Sequence, residues 1–287
     1  MTKIGIAFGS GGARGLAHLL MIEAFEELGL KPSVISGSSV GAIIGAFYAA
    51  GYSSKEMKTI LSNMLYPKNG KISDFFRRSD IINMLTMFDL QLVKSGFIKG
   101  DKLQNYMQTY LKVSTFEELN IPLKIIATSY WEKTEVILEK GKLLPAIRAS
   151  YSLPGLFTPV KIHNKILIDG GVSNPLPFDI LIKECDLTVA VDVTAYKVSN
   201  GKEYPPTFES VFTTYQLMQN SISQEKLKFI KPDIYIRPEI LDVRVFDFTK
   251  FESIFKQAKP AKEYLKRKLG KILERKTSIE VTSKENI

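Results

Sequence analysis

Twice before residue 51 a short apolar run stops at a glycine-rich turn and a helical pattern takes over. Lys3–Phe8 leads into Gly9-Ser10-Gly11-Gly12-Ala13-Arg14-Gly15, and Ser33–Ser36 leads into Gly37-Ser38-Ser39-Val40-Gly41. Apolar runs bounded by Gly and Pro go on alternating with longer helical patterns, which predicts a mainly parallel sheet covered by helices. Further strands are expected over Leu123–Ser129, Val136–Glu139, Lys165–Ile168, Leu187–Val193 and Ile234–Arg237. Helices are expected over Arg14–Leu28, Val40–Ala50, Ser54–Leu65, Asp101–Leu111, Phe178–Glu184, Phe208–Phe229 and Phe251–Arg275. At 287 residues the chain can bury a sizeable core, and 45% hydrophobic with 24% charged residues is an ordinary globular balance.

The first glycine loop has the position of a nucleotide site but not its residues. A dinucleotide fingerprint starting at Gly9 needs a third glycine where Arg14 stands, and an acidic residue after the second strand, where Gly37-Ser38 stands. A P-loop needs a Lys followed by Ser or Thr, and neither is present. What remains is a turn whose backbone N–H groups converge at a helix N-terminus, the arrangement that stabilises an oxyanion forming on a carbonyl under attack. Arg14 is read as a brace for this loop or a substrate contact, with a surface ion pair as the alternative.

Gly37-x-Ser39-x-Gly41, between an apolar strand and an Ala/Ile-rich helix, is a nucleophile-elbow pattern. A serine needs a base, and the chain has only two histidines, His18 and His163. Neither follows residue 163, so the order Ser…Asp/Glu…His is excluded by counting. His18, one turn into a helix, reads as structural or supporting, and His163, in the polar turn His163-Asn164-Lys165, as exposed. The alternative base is a carboxylate. Lys165–Ile168 delivers Asp169-Gly170-Gly171 at a strand end, and partial burial beside Ser39 would raise the Asp169 pKa towards a useful value. A plain β-turn former is the competing reading of Asp169.

The ordered set GSGGARG, GSSVG, DGG, with ASYSLPGLFTPV (149–160) between the last two, resembles the short bacterial members of the patatin-like phospholipase family over about residues 3–195. The resemblance implies a three-layer α/β/α sandwich with a mainly parallel central sheet, of FabD/lysophospholipase-like type. It also implies a Ser–Asp dyad, carried onto Ser39 and Asp169, and an oxyanion hole, carried onto Gly11, Gly12, Ala13 and Arg14. Gly37 and Gly41 complete the elbow motif, and Gly170 and Gly171 the DGG motif. Ser10 departs from the unbroken glycine run of many members. The expected activity is that of a serine acyl hydrolase on lipid or ester substrates, a lipase, phospholipase A or lysophospholipase-type esterase. An acyltransferase or thioesterase on the same dyad, or a weakly active regulatory or adaptor protein, are the alternatives.

Charge and cysteine usage set the surroundings. Of the net +9, nine Lys/Arg between Lys256 and Lys276 against Glu263 and Glu274 supply +7, leaving the rest near neutral. That argues against a nucleic-acid-binding protein. Leu265, Leu269, Ile272 and Leu273 give the same stretch an apolar face, so 251–276 is read as a basic amphipathic helix. It would dock on the core or contact an anionic membrane. Residues 1–250 form the expected catalytic domain, 277–287 a frayed tail, and 74–97 a helical insert or apolar lid. Cys185 is expected to be buried and inert, and one cysteine precludes an internal disulfide. No segment reads as a signal peptide or membrane span, so a cytoplasmic or membrane-peripheral location is expected. No cofactor and no metal are expected, and oligomeric state is left open.

Overall fold

The computed structural model of the chain describes residues 2–65, 101–194 and 207–285. Their strands are β1 (Ile4–Phe8), β2 (Val34–Ser38), β3 (Leu123–Ser129), β4 (Thr134–Leu138), β5 (Val160–Ile162), β6 (Lys165–Asp169), β7 (Leu187–Val191) and β8 (Ile234–Ile236). The helices are α1 (His18–Glu27), α2 (Val40–Ala49), α3 (Ser54–Leu65), α4 (Asp101–Tyr110), α5 (Leu143–Ser150), α6 (Thr207–Phe229) and α7 (Phe251–Glu285). A 3₁₀ segment, Gly12–Ala17, opens the first helical stretch. The insert expected at 74–97 lies outside the described residues.

Hydrogen-bonded neighbours run β5-β6-β3-β2-β1-β7-β8, with β4 on β3. β3, β2, β1, β7 and β8 are mutually parallel, while β4, β5 and β6 form antiparallel pairs. The sheet has two unlike faces because its side chains alternate with period two. Ile4, Ile6 and Phe8 of β1 enter the larger core with α1, α2, α3 and α7. Ala7, together with Ala190 of β7, meets Leu176, Phe178 and Leu181 on the other face. Gly5 also faces that side, and a β-carbon there would lie 2.6 Å from Cys185 Sγ. Small residues on this face let the 176–185 segment lie close to the sheet. The result is the three-layer α/β/α sandwich.

Three local differences from the sequence reading have physical causes. Phe178–Glu184 is a chain of turns, not a helix: Leu181 N–H bonds to Phe178 O and Glu184 N–H to Leu181 O, each closing at three residues. β5, which local sequence does not announce, completes a hairpin with the polar turn at His163-Asn164. His163 and Asn164 both have positive φ (45° and 63°), the two-residue turn that matches strand twist, and β5 is only three residues long. α5 is absent from the sequence expectation, and its Pro145 sits in the first turn, where its missing N–H costs nothing.

The C-terminal helix is part of the main core. Ile254, Ala258, Leu265 and Leu269 are fully buried in it. Lys262 and Lys266 reach Glu27 of α1 at 2.5 and 2.6 Å, so two of the basic residues serve docking. The helix continues past 276 to Glu285. Cys185 is only half-buried, and burial raises its thiol pKa.

Candidate active site

One edge of β3 brings the elbow and the DGG motif together. β2 pairs with β3 from Ile35↔Leu123 to Ser38↔Ile126, and β6 takes over at Asp169↔Ala127. β4 occupies the opposite edge over Ile125–Ser129. The parallel strand therefore ends where the antiparallel strand's carboxyl end arrives, and residues 130 positions apart become neighbours. The junction needs glycine: a β-carbon on Gly170 would collide with the Ile126 carbonyl and approach Ser38 Oγ to 2.8 Å.

Ser39 sits at this junction with φ 55° and ψ −120°, a left-handed backbone that costs a non-glycine residue on the order of 1–3 kcal/mol. The turn holds because α2 passes over the end of β1, where a β-carbon on Gly41 would strike the Phe8 carbonyl. Ser39 N–H donates to Ser150 Oγ at the end of α5, 2.9 Å away. Ser39 precedes Val40, the first residue of α2, so it faces the positive end of that helix.

Ser39 Oγ donates to Asp169 Oδ2 at 2.8 Å. The other oxygen, Oδ1, accepts from Gly171 N–H at 2.7 Å and from Tyr215 OH at 3.1 Å. The strand end is itself held, since Asp169 N–H donates to Ser152 O and Thr128 Oγ1 donates to Asp169 O. Burial pushes the Asp169 carboxyl up from 3.8 to about 6, against donors from Ser39, Gly171 and Tyr215 that favour its charge. Burial and the neighbouring carboxylate both raise the Tyr215 pKa well above its usual value, so its hydroxyl stays a donor.

The glycine loop is fixed by its own hydrogen bonds. Gly9 N–H donates to Val191 O, Ser10 N–H to Pro175 O and Ala13 N–H to Val245 O. Gly12, at φ 60°, turns the chain between them. The Ala13 N–H is therefore already committed, and Gly11 and Gly12 carry the loop amides for which no such bond occurs among the described residues. Arg14 is not a surface ion pair. It is almost fully buried, its Nη1 donates to Val243 O at 2.7 Å and its Nε to Val193 O at 3.3 Å. Burial lowers its pKa to about 10, which leaves it charged at neutral pH. It braces the loop from behind.

Neither histidine serves Ser39. His18 is fully buried, and burial lowers its pKa to about 4, so the ring is neutral. Its Nε2 lies 2.8 Å from Gly9 O, which requires the Nε2–H tautomer and ties α1 to the loop. His163 is exposed in the β5–β6 turn. Among the described residues no group of three or more His, Cys, Asp or Glu has a metal-holding arrangement. No helix among them is long and apolar enough to cross a membrane.

A cavity of about 180 Å³ starts at Ser39 and Asp169. Its greater part is apolar, walled by Ile43, Ile44 and Phe47 of α2, Met57 and Leu61 of α3, and Met107 of α4. The polar lining includes Ser10, Tyr215, Gln216 and Gln219, of which Tyr215 bonds Asp169 and Ser10 and Gln219 lie close to Gly171.

The model of the patatin-like phospholipase family matches residues 6–182, more than half of the chain. The chain belongs to this family. A relative, an uncharacterized NTE family protein of Mycobacterium tuberculosis, is 29% identical over 208 residues, covering 71% of this chain and 52% of the relative. Lysophospholipase NTE1 of Saccharomyces cerevisiae is 29% identical over 276 residues, covering 88% of this chain and 16% of that protein. The chain thus spans about half or less of these relatives. Among solved structures, VipD from Legionella pneumophila aligns with 92% of this chain and 67% of its own, at 15% identity and a TM-score of 0.49.

The patatin-like motifs account for Ser39, Asp169 and their glycines, but three neighbours escape a reading of the sequence. Ser150 is legible only as part of a family-like stretch without a role. Tyr215 and Gln219 lie on α6, beyond the family match, and nothing in their local sequence points to a carboxylate 46 positions upstream of Tyr215. Only the packing of α6 against the β6 end brings them in.

Proposed function

We propose that the chain is a serine hydrolase of lipid-like carboxylic esters, with Ser39 as nucleophile and Asp169 as its base. The observation that carries this reading is the 2.8 Å hydrogen bond from Ser39 Oγ to Asp169 Oδ2 at a strained elbow opening into an apolar cavity. Ser39 Oγ attacks the acyl carbonyl carbon as its proton passes to Asp169 Oδ2. The Gly11 and Gly12 amides, which lie in the loop beside the elbow, face the carbonyl oxygen as it becomes negative. Collapse expels the alcohol, which takes the proton back from Asp169 and leaves Ser39 acylated. Water then attacks the acyl carbon, Asp169 accepts its proton, and return of that proton to Ser39 Oγ releases the acid. The α2–α4 wall takes the acyl chain, because burying methylenes there contributes about 0.8 kcal/mol each.

The lipid-hydrolase reading also agrees with the name of the yeast relative, a lysophospholipase. A fluorophosphonate probe is expected to label Ser39, and esters of medium and long acids are expected to be cleaved faster than acetate esters. Absence of labelling in folded protein would reject an enzymatic role in favour of a binding one. Product analysis with competing alcohols separates hydrolysis from acyl transfer.

Membrane contact is a separable proposal. Lys256, Lys259, Arg267, Lys268 and Lys271 are exposed on α7, while Lys262 and Lys266 are engaged by Glu27. Sedimentation with vesicles rich in phosphatidylglycerol should show binding at low salt that is lost at high salt. No binding at low salt would overturn it.

A further inference from the structure

Two polar groups beside the dyad have no assignment in the reaction above. Ser10 Oγ and Gln216 Nε2 are buried without a hydrogen-bond partner among the described residues, and both side chains line the cavity. Ser10 is 1% exposed and Gln216 6%. Buried polar groups are almost always satisfied, so an unsatisfied pair at a cavity wall points to a ligand that satisfies them. Gly171 places Ser10 among the groups around the carboxylate. A β-carbon on that glycine would lie 3.0 Å from Ser10 Oγ, 3.0 Å from Asp169 Oδ1 and against Gln219 Nε2. Ser10, Gln219 and the carboxylate of Asp169 therefore converge on one spot, and Gln216 lies one turn of α6 before Gln219. Ser10 is the residue that interrupts the glycine run of the loop.

We infer that Ser10, Gln216 and Gln219 form a subsite for the alcohol half of the ester, shaped for a neutral, hydroxyl-bearing leaving group of glycerol type. The inference rests on the ester-hydrolase reading. With the acyl chain along α2, α3 and α4, the alcohol falls on the α6 side, where the polar lining is. The chemistry of the two groups selects the ligand. Gln216 Nε2 only donates, and Ser10 Oγ both donates and accepts, so a hydroxyl oxygen suits both while an alkyl group suits neither. A phosphoryl group in the same place would need a cation, and no Lys or Arg occurs among the described lining residues.

The test compares two esters of one acyl chain, 1-decanoylglycerol and propyl decanoate, which differ only in the glycerol hydroxyls. Wild type should prefer the glycerol ester in kcat/KM by about tenfold or more, because a site built to bond a hydroxyl rejects its absence. Ser10→Ala and Gln216→Met should each lower that preference ratio severalfold. Melting temperature and fluorophosphonate labelling identify folded, competent variants, and with two independent variants a failure of one to fold leaves the other decisive. No wild-type preference, or a ratio that neither variant moves, overturns the subsite while the hydrolase reading stands. Hydrolysis of neither ester by wild type overturns the hydrolase reading, and the subsite with it.

Discussion

Ser39→Ala should lower ester hydrolysis by about 10⁴-fold or more and abolish fluorophosphonate labelling, since loss of a serine nucleophile removes the covalent route altogether. The native fold should survive. The backbone turn at residue 39 is imposed by the close passage of α2 over β1 and by the Ser150 hydroxyl on the Ser39 N–H, neither of which uses the serine side chain. Circular dichroism and the melting profile check the second half of the expectation, and the rate with a p-nitrophenyl ester of a medium-chain acid checks the first. A Ser39→Ala protein retaining wild-type rate would remove Ser39 from the mechanism, whatever its geometry. Residual activity well above the expected level would mean that water activated by Asp169 attacks the ester directly.

Most of the scaffold that holds this serine is readable along the chain. Apolar runs bounded by Gly and Pro, alternating with helical patterns, place seven of the eight described strands to within two residues. Those signals arise because the central strands β1, β2 and β7 are buried throughout and read as continuous apolar runs, so burial is written locally. The errors fall where burial and length give no local signal. β5 is three residues on a sheet edge, and the run of turns at 177–184 buries Phe178 and Leu181 at a spacing that a helix would also satisfy.

The candidate site divides the same way. The nucleophile and its glycines lie within five consecutive positions, and the shortage of histidines alone directs attention to a carboxylate. That Asp169 abuts Ser39 follows from a different kind of fact, the sharing of one β3 edge by a parallel and an antiparallel strand. Such handovers depend on pairing across the sheet and leave no trace in either strand alone. The partners of Asp169 Oδ1 are further removed still, because α6 offers Tyr215 as one aromatic among many. Arg14 shows the opposite limit: its place in the loop is plain from the sequence, but its burial and its carbonyl acceptors 179 and 229 positions away decide that it braces rather than binds.

Asp169 should reveal itself by pH and by stability together. As a base it acts ionised, so kcat/KM should fall as pH drops through an apparent value of about 6. Tyr215→Phe removes a donor that favours the carboxylate, so it should move this limb to higher pH, a shift that loss of packing alone would not produce. The same raised value carries a cost in stability. Because the folded carboxyl titrates near 6 and the unfolded one near 3.8, the folded state holds the extra proton between these values, and stability falls as pH rises across that window. Asp169→Asn does not titrate. It should be inactive yet more stable than wild type at pH 7, by about 3 kcal/mol at most. The advantage should open between about pH 4 and 6 and stay constant above, as read from denaturant unfolding at several pH values. An Asp169→Asn protein that hydrolyses esters at the wild-type rate would reject the base. One that is less stable than wild type at every pH would show that the charge of Asp169 is matched by its three donors, which would bring its acid limb below pH 6 as well.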